Sequence, residues 1–296
     1  MPGRSMLNCV LTAKIGESGM AALRIFSYLP NPRIWKATIT ARLCSVEIEI
    51  RGASPRELSQ WLWDFDARPI AEVPRETLAS AERTGRIGFA DQKLYKTDAF
   101  LEAHPFGTVP AAFSPDGRTG IFESNSIMRA VARLGARRFP VYGRNVYESS
   151  RIDAFLDASL VFARDGQIYL LALSNGAMPN ELYGRMKGSF AAYFSGIEQA
   201  LSPQGTFLVG NDVTLADVCF VAEFCLFHNE QARSSVLETA GLSPLLDDEF
   251  PKAYPRSAAH FQRLLAHPAF VPDVAGYLEK IERSADHIKK RGVDLR

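Results

Sequence analysis

The 296-residue sequence has almost no net charge. Lysine and arginine together number 34, and aspartate and glutamate number 33. A protein that binds nucleic acid or an anionic membrane mainly through its charge carries a clear basic excess, which this chain lacks. We therefore expect neither nucleic acid nor a membrane as its main partner. A small-molecule ligand fits this composition better.

Two common catalytic signatures are also missing. The four cysteines, Cys9, Cys44, Cys219 and Cys225, show neither CxxC spacing nor paired metal-ligand spacing, and they stand largely in apolar surroundings. Buried and reduced thiols fit this pattern, so we expect a reducing, cytoplasmic setting and no metal site. The sequence contains no GxSxG motif, which disfavours a serine hydrolase.

Apolar runs long enough to cross a bilayer are absent as well. The longest run, VTLADVCFVAEFCLF, is interrupted by two acidic residues and predicts a buried helix. The first apolar patch is broken by Lys14 and Glu17 and lacks a small-residue cleavage site, so a secretory signal is not expected. We interpret residues 1–20 as a flexible arm.

Strand and helix patterns alternate in the first half of the chain. ALRIFSY predicts a buried strand, NPRIWKATITARLC a helix opened by Asn31, and SVEIEIRG a second strand. KTDAFLEAHPFGTVPAAF then predicts a short helix and a third strand, and SPDG predicts a turn into a fourth. The predicted order is βαβ followed by ββα.

Strand signals stop beyond Gly143, where long amphipathic segments begin. We therefore expect an α/β domain over residues 21–142, an all-helical bundle over 143–283 and a polar tail over 284–296. The segment 53–95 is a long insertion in the first domain.

The insertion contains three aromatic residues close together, Trp61, Trp63 and Phe65. A solvated spacer would not carry such a cluster, and long loops in compact domains are usually functional or disordered. Two interpretations remain open: the insertion is a lid over an aromatic substrate, or it is a patch that packs on a partner subunit.

The stretch GIFESNSIMRAVARLG passes directly from a strand-like run into an amphipathic helix. The first turn of a helix offers unpaired backbone N–H groups and a partial positive charge, and Ser124 adds a hydroxyl at the same point. This combination predicts a binding site for a carboxylate.

A second local signal stands in the helical half. In VGNDVTLADVCF, Thr214 lies three residues before Asp217, which is the spacing of a capping box. We interpret this pair as a structural helix cap, because the cap geometry already accounts for both residues.

Three motifs in this order resemble the glutathione S-transferase superfamily. GTVPAAF is similar to its third strand with a cis-proline, FESNSIMRAVA to its glutathione-binding turn, and FLVGNDVTLADV to the capping box of its helical domain. FESN and RIFSYLPNPRIWK are similar to the transferase-like domain of the elongation factor gamma subunit and to related fungal and bacterial transferases. The resemblance covers roughly Leu23 to Glu282 and implies a thioredoxin-like α/β domain followed by a helical bundle.

The resemblance also implies glutathione as a cosubstrate and assigns the residues that hold it. A cis peptide before Pro110 would let the backbone N–H and C=O of Val109 bind the cysteinyl unit. Ser124 and the helix N-terminus would bind the γ-glutamyl carboxylate, and Glu123 would meet the ammonium group.

In this family the residue that activates the thiol comes from the turn after the first strand, which reads FSYLPNPR here. Arg33 aligns with an arginine of the elongation-factor-like group, whereas Ser27 and Asn31 suit a serine or asparagine type of site. Tyr28 is a further candidate, or it packs in the core. A donor that lowers the thiol pKa from about 8.5 by about two units raises the thiolate fraction roughly twenty-fold.

Two functions follow from the resemblance. The first is an enzyme in which the glutathione thiolate attacks a hydrophobic aromatic electrophile, and bacterial relatives that cleave β-aryl ethers of lignin-derived dimers make that substrate class attractive. The second is a non-catalytic dimerisation or assembly subunit. In both cases we expect a homodimer or a heterodimer with a related transferase chain. A second wall of the site would come from aromatic residues of the first long bundle helix, Tyr147, Phe155, Phe162 and Tyr169.

Overall fold

The computed structural model describes most of the chain: residues 21–85, 89, 92–135, 140–201 and 205–293, with side chains described as far as residue 285. The predicted flexible arm, residues 1–20, lies outside the described residues. The chain divides into two compact units, one formed by Met1–Ala41 with Ser45–Ala136 and the other by Arg42–Cys44 with Arg137–Arg296. This division falls close to the predicted domain boundary at residue 142.

The first unit contains short strands and helices that alternate along the chain. They are β1 (Leu23–Tyr28), α1 (Pro32–Cys44), β2 (Ile48–Ala53), β3 (Trp61–Trp63), β4 (Arg68–Pro69), α2 (Arg75–Ala81), β5 (Glu82–Thr84), β6 (Lys93–Lys96), α3 (Asp98–Ala103), β7 (Ala111–Phe113), β8 (Gly120–Phe122) and α4 (Ser124–Leu134). Turns of 3-10 helix span Leu58–Gln60 and Ile70–Glu72.

The main sheet of this unit has the strand order β2-β1-β7-β8. Strands β1 and β2 are parallel, and they are joined by α1, whose N-cap Asn31 accepts the Arg33 N–H at 3.0 Å. The pairs β1 with β7 and β7 with β8 are antiparallel. The predicted βαβ-ββα order and the α/β class of this domain are therefore confirmed.

The two sides of β1 are buried in different clusters, because successive side chains of a strand point to opposite faces. Leu23 and Ile25 pack with Ile34 of α1 and with Ile48 of β2. Phe26 packs on the other side, in a second cluster that is rich in aromatic rings. Burial on both faces explains why apolar residues stand at both odd and even positions of β1.

The insertion forms a second sheet with the strand order β4-β3-β6-β5. Trp61 and Trp63 lie on the same face of β3, and Trp63 is only 1% exposed. The Trp63 ring lies edge-on to Phe26 at 5.6 Å, and its Nε1–H donates to the Leu58 carbonyl at 3.1 Å. Trp61 also stacks on Phe26, at 6.1 Å.

Phe65, the third aromatic residue of the insertion, lies edge-on to Phe113 of the main sheet at 5.9 Å. The aromatic cluster therefore anchors the second sheet to the first one. For Trp63 this corrects both sequence interpretations, the lid and the partner patch, because a side chain at 1% exposure is part of the core of its own unit.

The second unit is helical in its described part. Its helices are α5 (Val146–Ser174), α6 (Asn180–Ala200), α7 (Leu215–Phe227), α8 (Ser234–Thr239), α9 (Phe250–Ala253), α10 (Pro255–Leu265) and α11 (Val271–Val293), with a 3-10 turn at His228–Arg233. Helix α11 continues through most of the segment that we expected to be a polar tail. None of the described helices is long and apolar enough to cross a membrane.

Helix α7 is the centre of the bundle, as its apolar sequence predicts, and nearly all of its residues are buried. The predicted capping box is present at its start: Asp217 Oδ2 accepts the backbone N–H of Thr214 at 2.8 Å. Asp217 Oδ1 also accepts the Leu208 N–H at 3.0 Å and lies 2.8 Å from His260 Nε2. These contacts fix three segments of the bundle around one buried carboxylate.

Candidate functional site

The site is built around the junction between β8 and α4 in the first unit. Glu123 is the N-cap residue of α4 and has φ 66° and ψ 122°, a positive φ that non-glycine residues rarely adopt. Ser124 is the first residue of the helix. Such backbone outliers cluster at ligand-binding sites, where the surrounding structure holds them.

The start of α4 presents polar groups of the kind that bind an anion. The first backbone hydrogen bonds of the helix run from the Ser126 and Ile127 N–H groups to the Glu123 carbonyl. Within the described part of the chain, the Ser124 N–H has no acceptor. The Glu123 side chain is exposed and makes no capping hydrogen bond. Glu123 is therefore exposed at the helix N-terminus and Ser124 is 9% exposed there, and their role in holding a ligand stays a prediction.

A buried lysine reaches the same point from α1. Lys36 is 1% exposed, and its Nζ donates to Ser124 Oγ at 3.2 Å and to Asn125 Oδ1 at 2.7 Å. Sequence reasoning missed this residue. The available signal was a lysine at a position of α1 that is flanked by the buried residues Trp35 and Ala37.

The loop before β7 supplies the second part of the site. The peptide bond between Val109 and Pro110 is cis, as the resemblance implies. Among the described residues, neither the N–H nor the C=O of Val109 has a hydrogen-bond partner. Both groups thus remain open to a ligand that approaches in an extended, strand-like conformation.

Two buried side chains hold this loop. Lys96 donates to the Gly107 carbonyl at 2.6 Å, and His104 Nε2 accepts the Thr108 N–H at 3.3 Å. The His104 ring stacks on Phe122 at 4.8 Å, while its Nδ1 is the one buried side-chain nitrogen or oxygen of the described residues without a partner. Burial, with a further contribution from the charge of Lys96, lowers the pKa of His104 to about 4.

The three candidates for thiol activation are placed differently. Ser27 and Asn31 are 0% and 1% exposed, and Asn31 Nδ2 donates to Ser27 Oγ at 3.1 Å. Asn31 also caps α1 through its Oδ1, so both of its polar side-chain atoms are engaged, and the roles of Ser27 and Asn31 toward a thiol stay predictions. Arg33 and Tyr28 are only partly buried.

The aromatic residues of α5 do not form one surface. Phe162 and Tyr169 are buried, Phe162 stacks on Tyr193 at 4.5 Å, and the Tyr169 hydroxyl donates to Glu230 at 2.6 Å. Their assignment to a substrate wall is thus corrected: they belong to the bundle core. Tyr147 is 83% exposed.

Phe155 instead lies in a groove between α5 and α6 with a volume of about 620 Å³. The lining is mostly apolar and small, formed by Arg151, Ala154, Phe155, Ala158, Val161, Gly188, Ser189, Ala192, Tyr193, Gly196 and Ile197. Val161 is 63% exposed, and further along α5 Ile168 and Leu171 are also exposed. This side of the bundle therefore carries an accessible apolar face.

The described cysteines offer no accessible nucleophile. Cys44, Cys219 and Cys225 are buried and form no disulfide, in agreement with the sequence analysis, while Cys9 lies outside the described residues. Burial raises the pKa of Cys44 to about 11 and raises that of Cys225 as well. Both thiols therefore stay protonated at neutral pH.

A family model and related sequences both point to the glutathione S-transferases. A family model described as glutathione S-transferase, C-terminal domain, matches residues 167–268. Elongation factor 1-gamma 1 of Oryza sativa subsp. japonica is 26% identical over 185 residues, which cover 59% of this chain and 38% of the relative. A glutathione S-transferase-like protein of Gibberella moniliformis is 25% identical over 196 residues, which cover 66% of this chain and 72% of the relative.

Solved structures share the fold at low sequence identity. An epsilon-class glutathione S-transferase from the housefly Musca domestica has a TM-score of 0.58 at 13% identity. The match covers 88% of this chain and 98% of the housefly chain. A glutathione S-transferase of Methylobacterium radiotolerans in complex with glutathione sulfonate has a TM-score of 0.56 at 14% identity. The match covers 85% of this chain and 94% of the bacterial chain.

The βαβ-ββα unit followed by a helical bundle is thus the fold of glutathione transferases. Residues 167–268 match the C-terminal domain family of glutathione S-transferases, and the chain is similar to proteins of this superfamily and of its elongation factor 1-gamma branch. It spans 38% of the length of the plant elongation factor relatives that it matches.

Proposed function

We propose that the chain is a glutathione transferase that joins the glutathione thiolate to an aromatic electrophile. The observation that carries the proposal is the start of α4, where the Ser124 hydroxyl, its N–H and the exposed Glu123 meet at a helix N-terminus. A carboxylate is favoured there by the helix dipole, and an ammonium group is favoured by the Glu123 carboxylate. The γ-glutamyl end of glutathione carries both groups on one carbon.

The cysteinyl unit would lie along Val109. Its open N–H and C=O provide two backbone hydrogen bonds to an extended peptide, in the manner of an added strand. The contacts of Lys96 and His104 hold this loop in place, so little ordering is needed when glutathione binds. A reducing, cytoplasmic setting would keep the cosubstrate in its thiol form.

Of the three candidates we favour Arg33 for the thiol, because it is partly exposed whereas Ser27 and Asn31 are buried. A guanidinium group stays charged at every physiological pH, and a positive charge near a thiol lowers its pKa. Tyr28 is a second donor in the same turn. The thiolate then forms a C–S bond to the electrophilic carbon, and a halide or phenolate leaves with the electron pair of the broken bond.

Two electrophiles test the proposal: an activated aryl halide and a β-aryl ether of a lignin-type dimer. We expect glutathione conjugation with at least one, and Arg33→Met should lower kcat/KM about ten- to hundred-fold at pH 7. The pH-rate profile of the variant should move up by about one to two units, because the thiol pKa is no longer lowered. The control Arg118→Met removes an arginine that is 88% exposed and should change neither quantity.

Failure to form any conjugate while glutathione still binds would contradict the catalytic part. That result would favour the second candidate, a non-catalytic dimerisation or assembly subunit. The similarity to elongation factor 1-gamma proteins and the burial of both Ser27 and Asn31 support this alternative.

For either function we propose that a second transferase chain, identical or related, packs on the α5–α6 groove. Exposed apolar side chains such as Val161, Ile168 and Leu171 lie on α5, and small residues of α6 allow close approach of another helix. An apolar face of this kind is stabilised when a partner removes it from water.

A further inference from the structure

Lys36 places a buried ammonium group directly behind the first turn of α4. Its Nζ lies 3.2 Å from Ser124 Oγ and 2.7 Å from Asn125 Oδ1, and the residue is 1% exposed. The contacts join α1 to α4 across 88 residues of sequence. Burial fixes this lysine in one place, unlike a flexible surface lysine.

The chemistry of an ammonium group determines the orientation of the serine hydroxyl. Lysine Nζ has three donors and no acceptor, so Ser124 Oγ must accept in this contact. The hydroxyl hydrogen of Ser124 is then left for another acceptor. A carboxylate at the start of α4 is such an acceptor, and charge-assisted hydrogen bonds of this type are short and strong.

We propose that Lys36 is the positioning residue that makes the site selective for the α-carboxylate of the γ-glutamyl group. It orients the Ser124 hydroxyl as a donor, and its charge adds to the positive end of the α4 dipole in a poorly solvated place. The inference rests on the proposed function, because it specifies how the proposed glutathione site recognises one end of its ligand.

The test compares two ligands by isothermal titration calorimetry. One is glutathione, and the other is the tripeptide analogue in which hydrogen replaces the γ-glutamyl α-carboxylate. The wild type should bind glutathione more tightly, and the ratio of the two dissociation constants measures carboxylate recognition. In Lys36→Met this ratio should fall by about ten-fold or more, because glutathione loses affinity while the analogue does not.

Lys96→Met is the matched control, since Lys96 is another buried lysine of the same unit and holds the Gly107 carbonyl instead. Damage to the loop before β7 should weaken the binding of both ligands to the same extent and leave the ratio of their dissociation constants unchanged. If Lys36→Met does not fold, Lys36→Gln tests the same loss of charge with a neutral donor. Lys36→Arg keeps the charge and should retain most of the ratio.

The outcomes separate the two claims. If a folded Lys36→Met or Lys36→Gln protein has the same ratio of dissociation constants as the wild type, the role of Lys36 is overturned. The proposed glutathione site is then left intact. An equal loss for both ligands also overturns it, because a purely structural lysine would behave in that way. A wild type that binds neither ligand overturns the proposed function itself.

Discussion

At Gly52, strands β1 and β2 approach so closely that only hydrogen fits on the α-carbon. A Cβ built there would lie 1.7 Å from the carbonyl oxygen of Ser27, which is a backbone atom held by the sheet. We therefore expect Gly52→Ala to lower the free energy of unfolding by more than about 3 kcal/mol, because the strands must separate to accept the methyl group. Chemical denaturation followed by circular dichroism measures this change.

Gly184→Ala serves as the control for this substitution. Nothing lies within 4 Å of a Cβ at Gly184, which is in α6. Alanine is the better helix former by roughly 1 kcal/mol, so this variant should be as stable as the wild type or more so. A Gly52→Ala protein of wild-type stability would show that the two strands are not so close.

His104 gives a prediction for the dependence of stability on pH. Its pKa is about 4 in the folded protein, and a histidine in an unfolded chain titrates near 6.5. Between these values the unfolded state binds a proton that the folded state does not, so stability falls as pH is lowered through this window. From pH 7 to pH 5, His104 should contribute a loss of about 2 kcal/mol.

Chemical denaturation of the wild type and of His104→Gln at both pH values checks this. The variant should lose about 2 kcal/mol less between pH 7 and pH 5, because glutamine takes up no proton. His228 has a pKa lowered by burial to about 4 and is unchanged in the variant, so it cancels in the comparison. Equal losses in the two proteins would contradict the assignment to His104.

The local sequence indicated which residues could form the candidate site better than it indicated which side chains contact them in the fold. Ser124, Glu123 and Val109 could be proposed as site residues because a strand-to-helix turn and a proline position show in short stretches of adjacent residues. Lys36 was missed because its contact with Ser124 spans 88 residues and depends on tertiary packing. The pairing of Ser27 with Asn31 was likewise missed, since the path of the turn between them does not show in the sequence.

At the scale of elements, length decided what could be predicted. The long bundle helices α5 and α6 have 29 and 21 residues, enough for their periodicity to be read from the sequence. In the insertion, β3 has three residues and β4 has two, too few to show any alternation. The second sheet was therefore mistaken for a long loop, although its aromatic residues indicated buried structure.

Helix α5 carries the element-scale prediction. Val161→Glu places a charge on a side chain that is 63% exposed in the apolar groove, where burial of an unpaired charge against a partner is costly. We expect the wild type to sediment as a dimer in analytical ultracentrifugation and the variant to sediment as a monomer. Folding of the variant should be unaffected, because the position is exposed within one chain.

The control is Val271→Glu, which makes the same change at a side chain that is 41% exposed on α11. It should leave the dimer intact. A wild type that is monomeric at all concentrations would contradict pairing with an identical chain, and a Val161→Glu protein that dimerises normally would contradict the proposed partner face.

On the scale of the whole molecule, the order of the two units and the class of the fold were predictable, because three motifs occur in family order. The activity that this chain places on the fold was less predictable. Members of one superfamily place different activities on the same architecture, so the proposed glutathione site has to be tested by itself. Its central element is the α4 N-terminus, where Glu123 is exposed and Ser124 is largely buried beside it.

The most direct test is isothermal titration of the protein with glutathione, repeated on Ser124→Ala and on Ser126→Ala. We predict that the wild type binds and that Ser124→Ala binds about ten-fold more weakly or worse, because a charge-assisted hydrogen bond to the carboxylate is lost. Ser126→Ala, a change in the same helical turn, should bind like the wild type. A wild type that does not bind glutathione, or a Ser124→Ala protein with unchanged affinity, would contradict the assignment of this site.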